Sequence, residues 1–405
     1  MSYYCPSVVV PLDMILPELQ QKSPLLASAI LMVTCLDDAN QKKRMTDQFL
    51  EHVSRSIVKK GHKSLDILWA LLVCVSWYHS LFESDEQLNI ILHLALAMLN
   101  SLGLHQKLNL TSGKPQQSCE HGNVRTTAER RAYLGCFYTT CVAATCLKDM
   151  DPLRYTSYTE ECCHVLEELQ EHPTDMYLVR LARLSCMAHR IVQKLPFDAY
   201  NPPQIAPSGP VETCVKHLEA ELMHMKPSSA QDRIQDSILA LQYYSLKLFL
   251  YKSALEDDSS KNNRSSTRVD YDILQSSLTS AKDFFSTFSS LAPQYFLYLP
   301  YWVHQEYYHA VNSLSKFLLL AWKGGEHINA HIPIDVPTAV NMFIAKAKEA
   351  IQLCPPEEST PFAQEILYQL ISRVRAFERL HEARLADLES DDIDPIAATR
   401  IQYKM

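Results

Sequence analysis

Residues 91–105 read Ile-Leu-His-Leu-Ala-Leu-Ala-Met-Leu-Asn-Ser-Leu-Gly-Leu-His, and residues 126–147 read Thr-Thr-Ala-Glu-Arg-Arg-Ala-Tyr-Leu-Gly-Cys-Phe-Tyr-Thr-Thr-Cys-Val-Ala-Ala-Thr-Cys-Leu. In the first stretch Ile91, Leu92, Ala95, Leu99 and Leu102 recur at the spacing of one helical face. Gly103 stands where that helix must stop, because glycine accepts the left-handed backbone of a helix end. A polar loop at 106–125 follows, and Glu129-Arg130-Arg131 then leads a second apolar helix to about Leu147. After Asp151-Pro152 comes Tyr158-Thr159-Glu160-Glu161-Cys162-Cys163. Helix, glycine stop, loop, helix is the pattern that fixes the class as all-α.

The same period runs outward in both directions. It predicts helices near 24–36, 41–60, 64–82, 85–102, 126–147, 156–171, 174–194, 211–225, 231–256, 267–291, 300–323, 335–353 and 360–388. That makes a large bundle of about 13 helices, with no sustained strand alternation. Ser64 and Thr174 stand where N-caps belong, and Gly324-Gly325 where a helix ends. Five prolines between 196 and 210 exclude a helix there and mark a linker. The expected organisation is a helical half at 1–195, a proline-rich linker at 196–210, a second half at 211–388 and an acidic tail at 389–405. Residues 257–268 read as a polar low-complexity loop within the second half.

Composition removes several function classes. Eight glycines in 405 residues is about 2%, against a usual value of about 7%. None stands in a phosphate-loop, dinucleotide or nucleophile-elbow pattern, each of which needs glycine at a fixed offset. A net charge of −8 opposes direct binding of a nucleic-acid backbone by this chain alone. The basic clusters Lys42-Lys43-Arg44 and Lys59-Lys60 with Lys63 read as solvated helix faces. The twelve cysteines sit mostly in apolar helical runs, where a thiol behaves as a small hydrophobe, so a reducing compartment is expected. The most apolar run, Ile67 to Tyr78, is twelve residues long, and a membrane span needs about twenty.

Candidate chemical constellations fall short on spacing. No Cys-x-x-Cys occurs. Cys136, Cys141 and Cys146 are five apart, which turns successive side chains by about 140°. Cys162 and Cys163 are adjacent and face apart, while Cys186 and His189 share a face but make only two ligands. His304 and His309 are one residue off the spacing that aligns two imidazoles, and His217 and His224 lie about 10 Å apart along an axis. The pairs Asp37-Asp38, Asp257-Asp258 and Asp391-Asp392 read as caps or turns rather than as magnesium carboxylates of an isoprenoid-type enzyme. No catalytic, cofactor-binding or metal-ligating residue is therefore assigned. The aromatic run Tyr295, Phe296, Tyr298, Tyr301, Trp302, Tyr307 and Tyr308 reads as core, with a lining for a hydrophobic ligand as the sharper alternative. The tail from Leu385 to Ile396 alternates acidic and apolar residues, a composition that suits an activation segment as well as a frayed end.

The order Leu102-Gly103-Leu104-His105, Glu129-Arg130-Arg131 and Tyr-x-x-Glu-Cys-Cys ending in Leu166-Glu167-Glu168 resembles the middle homology region of fungal binuclear zinc-cluster transcription factors. The resemblance spans about 64–168 and thins toward the C-terminus. It implies a nuclear, non-enzymatic regulatory domain that works through transcription machinery or coregulator proteins, or through a hydrophobic small-molecule effector. Control of a metabolic or secondary-metabolite gene cluster belongs to the same implication. The six-cysteine cluster of that family has no counterpart in this sequence, so direct DNA recognition does not carry over. A gene product shortened upstream, a helical isoprenoid-type enzyme and a helical interaction protein that does not bind DNA stand as the alternatives.

Overall fold

A computed structural model of the chain describes residues 3–36, 38–81, 86–107, 125–147, 150–195, 211–227, 234–260, 271–323, 332–353 and 361–393. The molecule is all-α, with no strand among the described residues. The N-terminal elements are α1 (Leu16–Lys22), α2 (Pro24–Thr34), α3 (Ala39–Ser54), α4 (Leu65–Ser76), α5 (Leu88–Ser101), α6 (Thr127–Cys146), α7 (Ser157–Leu169) and α8 (Asp175–Lys194). Then come α9 (Val211–Met223), α10 (Ile234–Ser260), α11 (Tyr271–Ser289), α12 (Tyr301–Lys323), α13 (Val336–Leu353) and α14 (Pro361–Ile393). The linker at 196–210, the end of the polar loop at 261–268 and the tail beyond 393 lie outside the described residues.

Four local features depart from the periodicity. α1 forms ahead of the first expected helix at 24–36; its Pro17 falls in the first turn, where a missing N–H breaks no helical bond. α3 passes into a π-turn at Arg55–Lys59 that closes on Gly61 at φ +63°. The helix expected over 64–82 ends at Ser76, and a 3₁₀ turn at Tyr78–Ser80 swings Tyr78 and His79 into the interior. A second 3₁₀ turn, Pro293–Tyr298, precedes α12.

The residues that carried the family resemblance knit α5 to α8. Gly103 takes φ +66°, its N–H bonds the Asn100 carbonyl, and Leu104 N–H reaches back to the Leu99 carbonyl. This is a left-handed helix end that tucks Leu104 into the core. Arg125 donates to the Gly103 carbonyl at 2.5 Å. Thr126 and Glu129 form a reciprocal capping box at the start of α6. Arg131 grips Asp175 through two parallel bonds, Nε–Oδ1 at 2.7 Å and Nη2–Oδ2 at 3.0 Å, which pins α6 to the start of α8. Arg130 lies 3.6 Å from the Cys162 sulfur on α7.

Two apolar clusters organise the rest. The first gathers α2, α4, α5, α6 and α7 around residues such as Met32, Leu71, Leu99, Phe137 and Leu166. The second gathers α9 to α14 around Leu218, Leu248, Phe284, Phe288, Leu314 and Phe343. Each fully buried Leu or Phe contributes roughly 1.5–3 kcal/mol. Two helices serve both clusters. α8 gives Leu178, Val179 and Ala182 to the first and Leu184, Met187 and Ile191 to the second, while α12 divides Tyr301 and Trp302 from Val303, Tyr307 and Val311.

Candidate functional site

A cleft of about 460 Å³ opens between α3, the 3₁₀ turn after α4 and the first turns of α14. α3 supplies its floor because of helical period alone: Lys42, Thr46, Phe49 and Val53 occupy one buried face. Asp38 fixes the first turn by accepting from the N–H groups of Asn40 at 2.8 Å and Gln41 at 3.0 Å. Lys42 is only 2% exposed, which corrects the expectation that its cluster lies on a solvated face. Lys43, Arg44, Lys59, Lys60 and Lys63 are exposed as expected. Four charged or polar residues in sequence do not share one side of a helix, so composition could not separate Lys42 from its neighbours.

His79 reaches the same floor from the 3₁₀ turn. It is 5% exposed, and its Nδ1 has no hydrogen-bond partner among the described residues. Behind it, with ring centroids 4.9 Å apart in an edge-to-face arrangement, lies His304 of α12. Both His304 nitrogens are likewise buried without a hydrogen-bond partner among the described residues. Burial pulls Lys42 down to about 8. Burial, then His304, Lys42 and Arg373, hold His79 well below the usual imidazole range. Burial and Arg373 bring His304 to about 3. The two imidazoles are therefore neutral at ordinary pH, and the floor sets the His79 imidazole beside the Lys42 side chain. Leu50, Leu81 and Ile366 add apolar wall, with Asp47 and Glu365 also on the lining. Such a site suits a small molecule with an apolar body and an electron-rich polar end.

The other sequence candidates separate. Asp38 is engaged as the α3 cap; Asp37 lies outside the described residues, as do the side chains of Asp257, Asp258, Asp391 and Asp392. His304 points at Phe296 and Phe343, whereas His309 lies by Phe249, so the five-residue spacing does send them apart. His189 is 2.8 Å from Gln193. Among the described residues no three His, Cys, Asp or Glu converge as metal ligands. Burial raises the thiols of Cys74, Cys136 and Cys163 to about 12, which removes their nucleophilic form at neutral pH. Within the aromatic run, Tyr301, Trp302, Tyr307 and Tyr308 are core, while Tyr295 and Tyr298 are exposed. The cleft itself was missed by the sequence. Its one advance signal was Lys42, Thr46, Phe49 and Val53 recurring every three or four residues on α3. No described helix is long and apolar enough to cross a membrane.

The family described as the WAR1 C-terminal domain matches residues 1–287. The chain is 25% identical over 316 residues to the transcription factor opdL of Penicillium oxalicum, covering 74% of this chain and 54% of that protein. It is 24% identical over 301 residues to the transcription factor himD of Aspergillus japonicus, covering 71% of this chain and 48% of the relative. It is also 21% identical over 391 residues to the transcriptional regulator WAR1 of Candida albicans, 93% of this chain and 40% of that one. The chain thus spans about half the length of the curated relatives it matches. No solved structure matches.

Proposed function

Because the chain belongs to the WAR1 C-terminal domain family, we propose that it is the regulatory part of a transcriptional regulator, working through protein contacts that a small molecule in the α3–α14 cleft controls. The observation that carries the reading is the extent of the family match, residues 1–287, which takes in α3 and the His79 floor. The relatives' names, transcription factor and transcriptional regulator, support the same role, and with it nuclear action and a role other than catalysis. Coregulators or transcription machinery are the proposed protein partners. The hydrophobic effector expected from the sequence is placed in this cleft, whose lining sets the polar side chains of Lys42 and His79 beside Leu50, Leu81 and Ile366. The two halves, 1–195 and 211–388, are proposed as the bodies whose relation the effector biases. The helices α8 and α12, which serve both clusters, are the elements through which the two halves would be coupled.

The test compares transcripts in a strain lacking the gene with strains restored by wild type or Lys42→Met, which keeps most of the buried stem and removes the charge. Deletion is expected to change a confined set of transcripts, and Lys42→Met to fold normally yet fail to restore their regulation. An unchanged transcriptome on deletion refutes the regulatory role; full restoration by a folded Lys42→Met refutes the cleft as its control point.

A further inference from the structure

α3 carries a second stripe beside its buried face. Asn40, Lys43, Asp47 and Leu50 follow one another at intervals of three, four and three residues, and all four line the α3–α14 cleft. Along the stripe the order is amide, cation, anion, apolar. Lys43 and Asp47 stand one helical turn apart, about 6 Å along the axis, the spacing at which opposite charges ordinarily pair. They form no ion pair with each other, and neither has another ion-pair partner among the described residues. Lysine ahead of the acid is the weaker order for such a pair, and the aspartate stem is short. Both side chains are exposed.

The facing wall repeats the acidic charge. Glu365, in the first turns of α14, lines the same cleft, is exposed and also has no ion-pair partner among the described residues. Next to it Ile366 is buried, and with Leu50 and Leu81 it makes the apolar part of the lining. Two helices far apart in the chain thus set a cation, two carboxylates and an apolar wall around one opening of about 460 Å³. A wholly apolar ligand would leave these charges unmatched. A simple anion would meet Asp47 and Glu365 as like charges.

Building on the reading of this cleft as the effector's site, we propose that the effector is an α-amino acid with an apolar side chain. Its carboxylate lies at Lys43, its ammonium at Asp47 and Glu365, and its side chain against Leu50, Leu81 and Ile366. Such a molecule carries both charges on one small head, matching the one-turn spacing of Lys43 and Asp47, and an apolar body beyond it. Ion pairs at an exposed rim are individually weak and screened by salt, so the affinity expected is about millimolar.

The test is calorimetric titration of the full chain at low salt with L-leucine and three relatives of it. 4-Methylpentanoate lacks the ammonium, 3-methylbutylammonium lacks the carboxylate, and L-serine lacks the apolar body. Leucine is expected to bind roughly fivefold or more tighter than each of them, about what one or two exposed ion pairs supply. Asp47→Asn with Glu365→Gln is expected to weaken leucine by about fivefold and not to weaken 4-methylpentanoate. Lys43→Gln is expected to weaken both. All three positions are exposed, so these variants are expected to unfold at the wild-type Tm. No binding of leucine in the millimolar range, equal affinity for leucine and 4-methylpentanoate, or leucine binding indifferent to both variants overturns the proposal. Each of those results leaves the cleft's regulatory role standing, since that role fails only if Lys42→Met restores the transcripts.

Discussion

Arg131 and Asp175 lie almost wholly in the interior, 6% and 0% exposed, and each has the other as its main counter-charge. Removing Arg131 strands Asp175, and removing Asp175 leaves Arg131 only the longer contact to Glu171 at 3.4 Å. Asp175→Asn is expected to cost about 3–5 kcal/mol in urea unfolding, and adding Arg131→Met to recover most of it. The buried titrating groups act in opposite directions. His79 and His304 bind protons more weakly when folded, so their contribution is whole above about 6.5 and is lost as pH falls, for His304 toward about 3. Each proton gives a slope of about 1.4 kcal/mol per pH unit. Glu306 binds its proton more tightly when folded, so its contribution is whole below about 4.5 and is lost as pH rises through its raised value. Unfolding measured from pH 3 to 7 in wild type and His304→Phe is expected to lose about one proton of acid-side slope in the variant. Identical slopes would show that His304 does not titrate on unfolding.

At the scale of elements, close approach decides where the chain tolerates change. A Cβ built on Gly135 of α6 would lie 2.3 Å from the Ser7 Cβ, so the N-terminal segment crosses α6 at this glycine. Gly135→Ala is expected to destabilise by about 1–3 kcal/mol, and Ser7→Gly in the same chain to restore much of that. Gly103→Ala should cost about 1–2 kcal/mol, because φ +66° strains any residue with a Cβ. Thermal or urea unfolding reads both. Period and caps made nearly every helix legible in advance: α4 begins at Leu65 after the expected cap Ser64, whose hydroxyl accepts from the Ile67 N–H, whereas Thr174 precedes α8 without a side-chain cap bond. The failures were short or broken elements. α1 has seven residues, too few to show a period, and the split of the 64–82 segment at Trp77 follows from a tertiary bond, its indole N–H to the Tyr298 carbonyl at 3.2 Å.

For the molecule as a whole, charge sets the expectation about nucleic acid. At a net −8 the chain should show no sub-micromolar, salt-sensitive binding to promoter duplex when assayed alone; such binding would contradict the regulatory reading as framed. The sequence by itself determined the all-α class, the helix ends and the family, because apolar period, glycine stops and caps are local properties written every three or four residues. It could not bring Lys42, His79 and His304 together, nor bury Glu306 without a hydrogen-bond partner for its Oε2 among the described residues, since these arrangements arise across chain separations that no periodicity encodes. Only the packing of α3 near α14, and of α12 against α6, decided which polar side chains were taken out of water and left facing one another.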